Sequence, residues 1–124
     1  VQLELDKMDG QPFGRETIYL LGTMNDWGKK WDSTPSFEYK GKGIYETTTT
    51  LKKGRCEFKI APIDWSFDYG ANLKQENVII GQKTPLAKVA GSSNLIMDIE
   101  DGSTLTFRLE VTKDSAVTLY ILEN

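Results

Sequence analysis

Along most of the chain apolar and polar side chains alternate in short runs, and Gly, Pro, Asn and Asp punctuate the intervals. A period of two marks a strand with one buried face. The clearest run is 104–112, with Leu105, Phe107, Leu109 and Val111 on one side and Thr104, Thr106, Arg108, Glu110 and Thr112 on the other. Residues 55–61 repeat the pattern, Cys56, Phe58 and Ile60 facing inward and Arg55, Glu57 and Lys59 outward. Thr17 to Leu21, Ser36 to Lys40 with Phe37 and Tyr39 on one side, Ile44 to Leu51 with its threonine run, Leu95 to Ile99, and the segment of Val117, Leu119 and Ile121 complete the strong signals. Weaker apolar segments lie at Val1 to Leu5, Val78 to Ile80 and Leu86 to Ala90, with tight turns at Gly41 to Gly43, Lys52 to Gly54 and Lys113 to Ser115. Glu100 to Ser103 reads as a hairpin turn. Seven to nine short strands without a convincing amphipathic helix predict an all-β protein, an antiparallel immunoglobulin-like β-sandwich forming one domain over residues 1–124.

Two stretches depart from simple alternation. Tyr19 to Leu21 runs through Gly22 into Thr23-Met24-Asn25-Asp26-Trp27-Gly28, a polar turn that sets a tryptophan just past a strand end. Such a ring can fold back into the core or lie on the surface as a flat platform, and the local sequence leaves both open. After Pro62, which ends its strand for want of a ladder donor, Ile63 to Glu76 forms a long loop carrying Asp64-Trp65-Ser66-Phe67-Asp68-Tyr69-Gly70. Its aromatic content argues against disorder, and loops of that length in small domains are commonly functional. Phe67 and Tyr69 are read as anchors for this loop, with Tyr69 alternatively flanking a site.

Charge and composition narrow the chemistry. Fifteen basic and eighteen acidic residues, interspersed, give a net charge of −3, which offers neither the basic stripe of a nucleic-acid binder nor that of a membrane-surface protein. No apolar run approaches the roughly 18 residues of a membrane span. The sequence starts in mid-pattern and reads as an excised module, so a missing leader carries no weight. Histidine is absent and Cys56 is the single cysteine, which removes most triad and zinc chemistries and predicts a small buried thiol. No metal or other cofactor is expected, and the chain is expected to be a monomer.

Asp98, Glu100 and Asp101 cluster at the turn, where an acidic tip is the plain reading and a calcium contact the alternative, although the spacing matches no calcium loop. Asp64 and Asp68 flank aromatics, yet without a histidine, a phosphate loop or a nucleophile motif they make a thin case for a hydrolase. The aromatics say more. Trp27 follows one strand, Trp65 follows another whose outward residue is Lys59, and Asn94 precedes a third. The C–H face of a glucose ring packs on an indole, and its hydroxyl rim needs donors and acceptors of the kind Lys and Asn provide. A curved α-1,4-glucan suits two platforms tilted to one another. A spacer domain with both tryptophans buried at a domain interface is the competing expectation.

Tyr19 to Trp27 resembles the strand–turn–Trp signature of starch- and glycogen-binding modules, a group that includes the glycogen-binding domain of the AMP-activated kinase β subunit. Gly43-Ile44-Tyr45-Glu46, then Leu51 to Ala61 with Asp64-Trp65, are similar to the same family in order and spacing, above all to accessory modules of bacterial secreted pullulanases and α-amylases. The likeness spans about Thr17 to Ile121. It implies a non-catalytic module that binds starch, glycogen or malto-oligosaccharides, joined to a glycoside hydrolase outside the cell or at its surface. Trp27 and Trp65 would be the stacking platforms, Lys59 a hydroxyl contact and Asn94 a contact to vicinal hydroxyls. Two features depart from the pattern. The interval from Lys59 to Trp65 is a residue shorter than in the kinase domain, with Pro62 inside it, and Trp31 has no counterpart. Trp31 could extend the platform, cap the sandwich edge or replace Trp27.

Overall fold

A computed structural model describes residues 12–14, 16–30, 34–71, 74, 76–88, 92–100, 102–112, 114 and 116–123. Among the described residues nine strands form two sheets: β1 (Tyr19–Gly22), β2 (Glu38–Gly41), β3 (Ile44–Leu51), β4 (Gly54–Ala61), β5 (Glu76–Asn77), β6 (Lys83–Leu86), β7 (Leu95–Ile99), β8 (Ser103–Val111) and β9 (Val117–Glu123). One sheet has the order β1-β4-β7-β5, the other β2-β3-β8-β9-β6, and they face each other as an open immunoglobulin-like sandwich. Val1 to Leu5 lies outside the described residues.

The period-two pattern decides what meets between the sheets. Ile18, Leu20, Phe58, Ile60, Leu95, Met97 and Ile99 are buried from one side, and Tyr45, Leu105, Phe107, Leu109, Leu119 and Ile121 from the other. Phe58 and Phe107, both fully buried, meet edge to face across the centre with ring centroids 5.8 Å apart. Cys56 is buried in this core as its alternation required, and burial pushes its thiol pKa up, with the charge of Asp98 adding to the effect.

Two expectations from the sequence are corrected. Glu100 to Ser103 is not a hairpin turn, because β7 pairs with β4 and β5 whereas β8 pairs with β3 and β9; this segment carries the chain from one sheet to the other. The weak segments at 78–80 and 86–90 are displaced: the strands are Glu76–Asn77, which runs parallel to β7, and Lys83–Leu86. Both are edge strands, and Pro85 is tolerated in β6 because an edge leaves one row of amides unpaired. The long loop is tied into the fold, since Tyr69, Gly70 and Ala71 each bridge to a different neighbour, Ile60, Ala87 and Ser93.

Candidate functional site

The site grows from the end of β1. Asn25 is fully buried, and its side chain ties three backbone groups together: Oδ1 accepts from the amides of Gly22 at 3.1 Å and Gly28 at 3.0 Å, and Nδ2 donates to the Leu20 carbonyl at 2.7 Å. Strand end and turn end are thereby fastened to one point. Between them the backbone is left-handed, with φ of 51° at Asp26, 57° at Trp27 and 93° at Gly28. For an L-residue that conformation costs about 1–2 kcal/mol, and in a bulky residue it is a true outlier, so the buried amide of Asn25 is what holds it. Glycine is required at 28: besides its positive φ, a Cβ there would sit 2.9 Å from Leu21 Cδ2 and 3.0 Å from Ile63 Cδ1.

Trp65 is presented by a different device. Beyond Ala61 the Pro62 carbonyl accepts the Trp65 amide at 3.0 Å, and the Ser66 amide donates to Asp64 Oδ1 at 3.0 Å, closing a side-chain turn around the tryptophan. The amide and hydroxyl of Ser66 hold the Asp64 carboxyl below its usual range. Trp65 too is left-handed, at φ 57°. The turn that starts at the Pro62 carbonyl leaves Trp65 exposed.

The two indoles come together. Their ring centroids are 6.3 Å apart and their planes are inclined at 46°. Trp65 is 39% exposed and Trp27 half-buried, so neither ring is lost to the core. Beside them runs the outer face of β4. Leu21 pairs with Lys59, and Asn94 directly precedes Leu95, which pairs with Phe58, the neighbour of Lys59 in β4. Lys59 points away from the core as the alternation requires, and its Nζ lies 2.9 Å from Asp68 Oδ2. That oxygen also accepts from Ser92 Oγ at 2.6 Å. Burial by itself raises the Asp68 pKa, but the hydrogen bonds from Ser92 and Lys59 and the lysine charge outweigh it, and the carboxyl sits below its usual range. Asn94 is half-buried and donates through Nδ2 to Glu57 Oε1 at 3.1 Å.

Of the remaining candidates, Tyr69 is corrected as a flanking site residue. It is 5% exposed, stands edge-on to Phe67 with centroids 6.0 Å apart, and exchanges backbone hydrogen bonds with Ile60. Its burial, which also raises the phenol pKa, makes it a loop anchor. Phe67 shares that role, half-buried beneath Lys88, whose Nζ is 4.8 Å from the ring centroid. Trp31 lies outside the described residues. Sequence reasoning took Asn25 for an ordinary turn residue and missed Ser92 and Glu57 as partners. Asp68 carried one usable signal, a lone carboxylate between two loop aromatics, which cannot be buried without a cation or donors.

The chain itself is similar to known proteins. Residues 16–109 fit the profile of the pullulanase X25 domain, and the chain belongs to that family, as a carbohydrate-binding module without catalytic function. A solved structure described as the ligand-induced structure of AmyP-SBD superposes with a TM-score of 0.62 at 19% identity, covering 89% of this chain and 74% of that one, and so shares the fold. A comparison with curated proteins found no match.

Proposed function

We propose that this module binds α-glucan chains by stacking sugar rings on Trp27 and Trp65, with Lys59 and Asn94 contacting hydroxyls, and that it holds an attached glycoside hydrolase on its polymer. The observation that carries this reading is the pair of indoles 6.3 Å apart and inclined at 46°, each set on left-handed backbone. Strain of this kind collects at functional sites, and a flat row of rings would suit a straight β-1,4 chain instead. Membership of a pullulanase domain family supports the substrate class, since pullulanases act on α-glucans. The ligand is neutral, so binding is expected to vary little with salt. Weak single-site affinity, in the micromolar range or above, is enough for a tethered module, because it raises the enzyme's effective concentration at the polymer. In this reading the chain is one monomeric module of a secreted or cell-surface enzyme.

Calorimetric titration with maltoheptaose, β-cyclodextrin and cellohexaose tests it. Heat of binding is expected with the first two and not the third, and Trp27→Ala or Trp65→Ala is expected to weaken binding at least about tenfold with the circular dichroism unchanged. Wild-type affinity in both variants would place the site elsewhere.

A further inference from the structure

We infer that Asp68 is a positioning residue for glucan binding, one that fixes Lys59 before the sugar arrives; this rests on the sugar-site reading above. A lysine is a poor recognition group when free, because its long stem samples many rotamers and stilling it on binding costs conformational entropy. Here the side chains of Lys59 and Asp68 are only 12% and 15% exposed. Asp68 Oδ2 receives Lys59 Nζ at 2.9 Å and Ser92 Oγ at 2.6 Å, so the carboxylate is itself braced from a second element. Gly70 lets the loop pass close to the lysine stem, since a Cβ there would come 3.4 Å from Lys59 Cε and 2.4 Å from the Ser93 carbonyl oxygen. An ammonium has three donors. With one committed to Asp68, the other two are held in fixed directions on the outer face of β4. The same carboxylate lies three residues beyond Trp65, so a single group joins the loop that carries a platform to the strand that carries the donor.

The experiment is a double-mutant cycle with maltoheptaose, read by calorimetry on wild type, Asp68→Asn, Lys59→Met and the double variant, with circular dichroism and melting curves to show that each is folded. Asp68→Asn is expected to weaken binding about fivefold, the cost of leaving Lys59 unordered. On the Lys59→Met background the same change is expected to have no further effect. Wild-type affinity in Asp68→Asn, or a full additional loss in the double variant, overturns the inference; the second outcome would mean that Asp68 merely pins the loop. Should Asp68→Asn fail to fold, Ser92→Ala, which frees the carboxylate but keeps the ion pair, serves in its place: about a twofold loss that vanishes on the Lys59→Met background is expected, and wild-type affinity overturns. Failure of the sugar site itself reads differently, as wild-type binding in Trp27→Ala and Trp65→Ala.

Discussion

The outer faces of the two sheets are built from the same alternation and have become different surfaces. On the five-stranded sheet polar side chains meet partners straight across the strands: Thr48 with Thr106 at 2.9 Å, Thr50 with Thr104 at 2.8 Å, and Arg108 Nε with Glu46 Oε2 at 2.7 Å. The β3–β8 ladder beneath them runs without a break from Ile44↔Glu110 to Leu51↔Ser103. On the four-stranded sheet the strands are shorter, and the partners come from loops. Lys59 is answered by Asp68, which Ser92 braces in turn, the Glu57 amide donates to Thr23 Oγ1, and Leu21 is fully buried although it pairs beside the outward Lys59. A face whose polar groups are satisfied within the sheet is a solvated wall. One whose groups are satisfied by loops gains relief, and here that relief carries two indoles.

This contrast can be broken most severely at Asn25. Asn25→Ala removes the partner of two amides and a carbonyl at a buried point, and a loss of about 3 kcal/mol is expected in urea unfolding. Glucan binding should fall with it, since the Trp27 backbone conformation loses its support. Gly28→Ala comes next, because a Cβ is both strained at φ 93° and crowded by Leu21 and Ile63; a cost of about 1–3 kcal/mol is expected in the same measurement.

Acid offers a third test. The Asp68 carboxyl is held below its unfolded value, so its contribution to stability is fully present above that unfolded value, about 3.9, and is lost as pH falls through the folded one. Asp68→Asn is therefore expected to be about 1–2 kcal/mol less stable than wild type at pH 7. The gap should narrow as the pH is lowered below about 4 in unfolding curves collected across pH. A gap that is constant with pH would show that the carboxylate's charge contributes nothing. The smallest effect belongs to the wall: Thr48→Ala is expected to change stability by less than about 0.5 kcal/mol and to leave glucan affinity unchanged.

The same division governs what could be read from the residues. The core was legible, because Leu105, Phe107 and Leu109, or Cys56, Phe58 and Ile60, announce their faces by position alone, and each is buried as its alternation required. Connectivity was less so. The turns at 52–54 and 100–103 look alike to hairpin chemistry, yet both carry the chain across to the opposite sheet, and only pairing partners far away in sequence reveal that. Trp27 and Trp65 were visible as candidates, but a tryptophan after a strand end is equally good material for a core.

By itself, then, the chain's pattern determined the all-β architecture, the buried set and the outward direction of Lys59, since each depends on neighbours one or two residues away. Tertiary structure alone decided that two indoles separated by 38 positions stand 6.3 Å apart, that Tyr69 turns inward where Trp65 turns out, and that Asp68 closes on Lys59. Those arrangements follow from left-handed backbone at Trp27 and Trp65 and from side-chain hydrogen bonds at Asn25 and Asp68. Local propensity opposes that backbone geometry, and only the assembled fold can hold it.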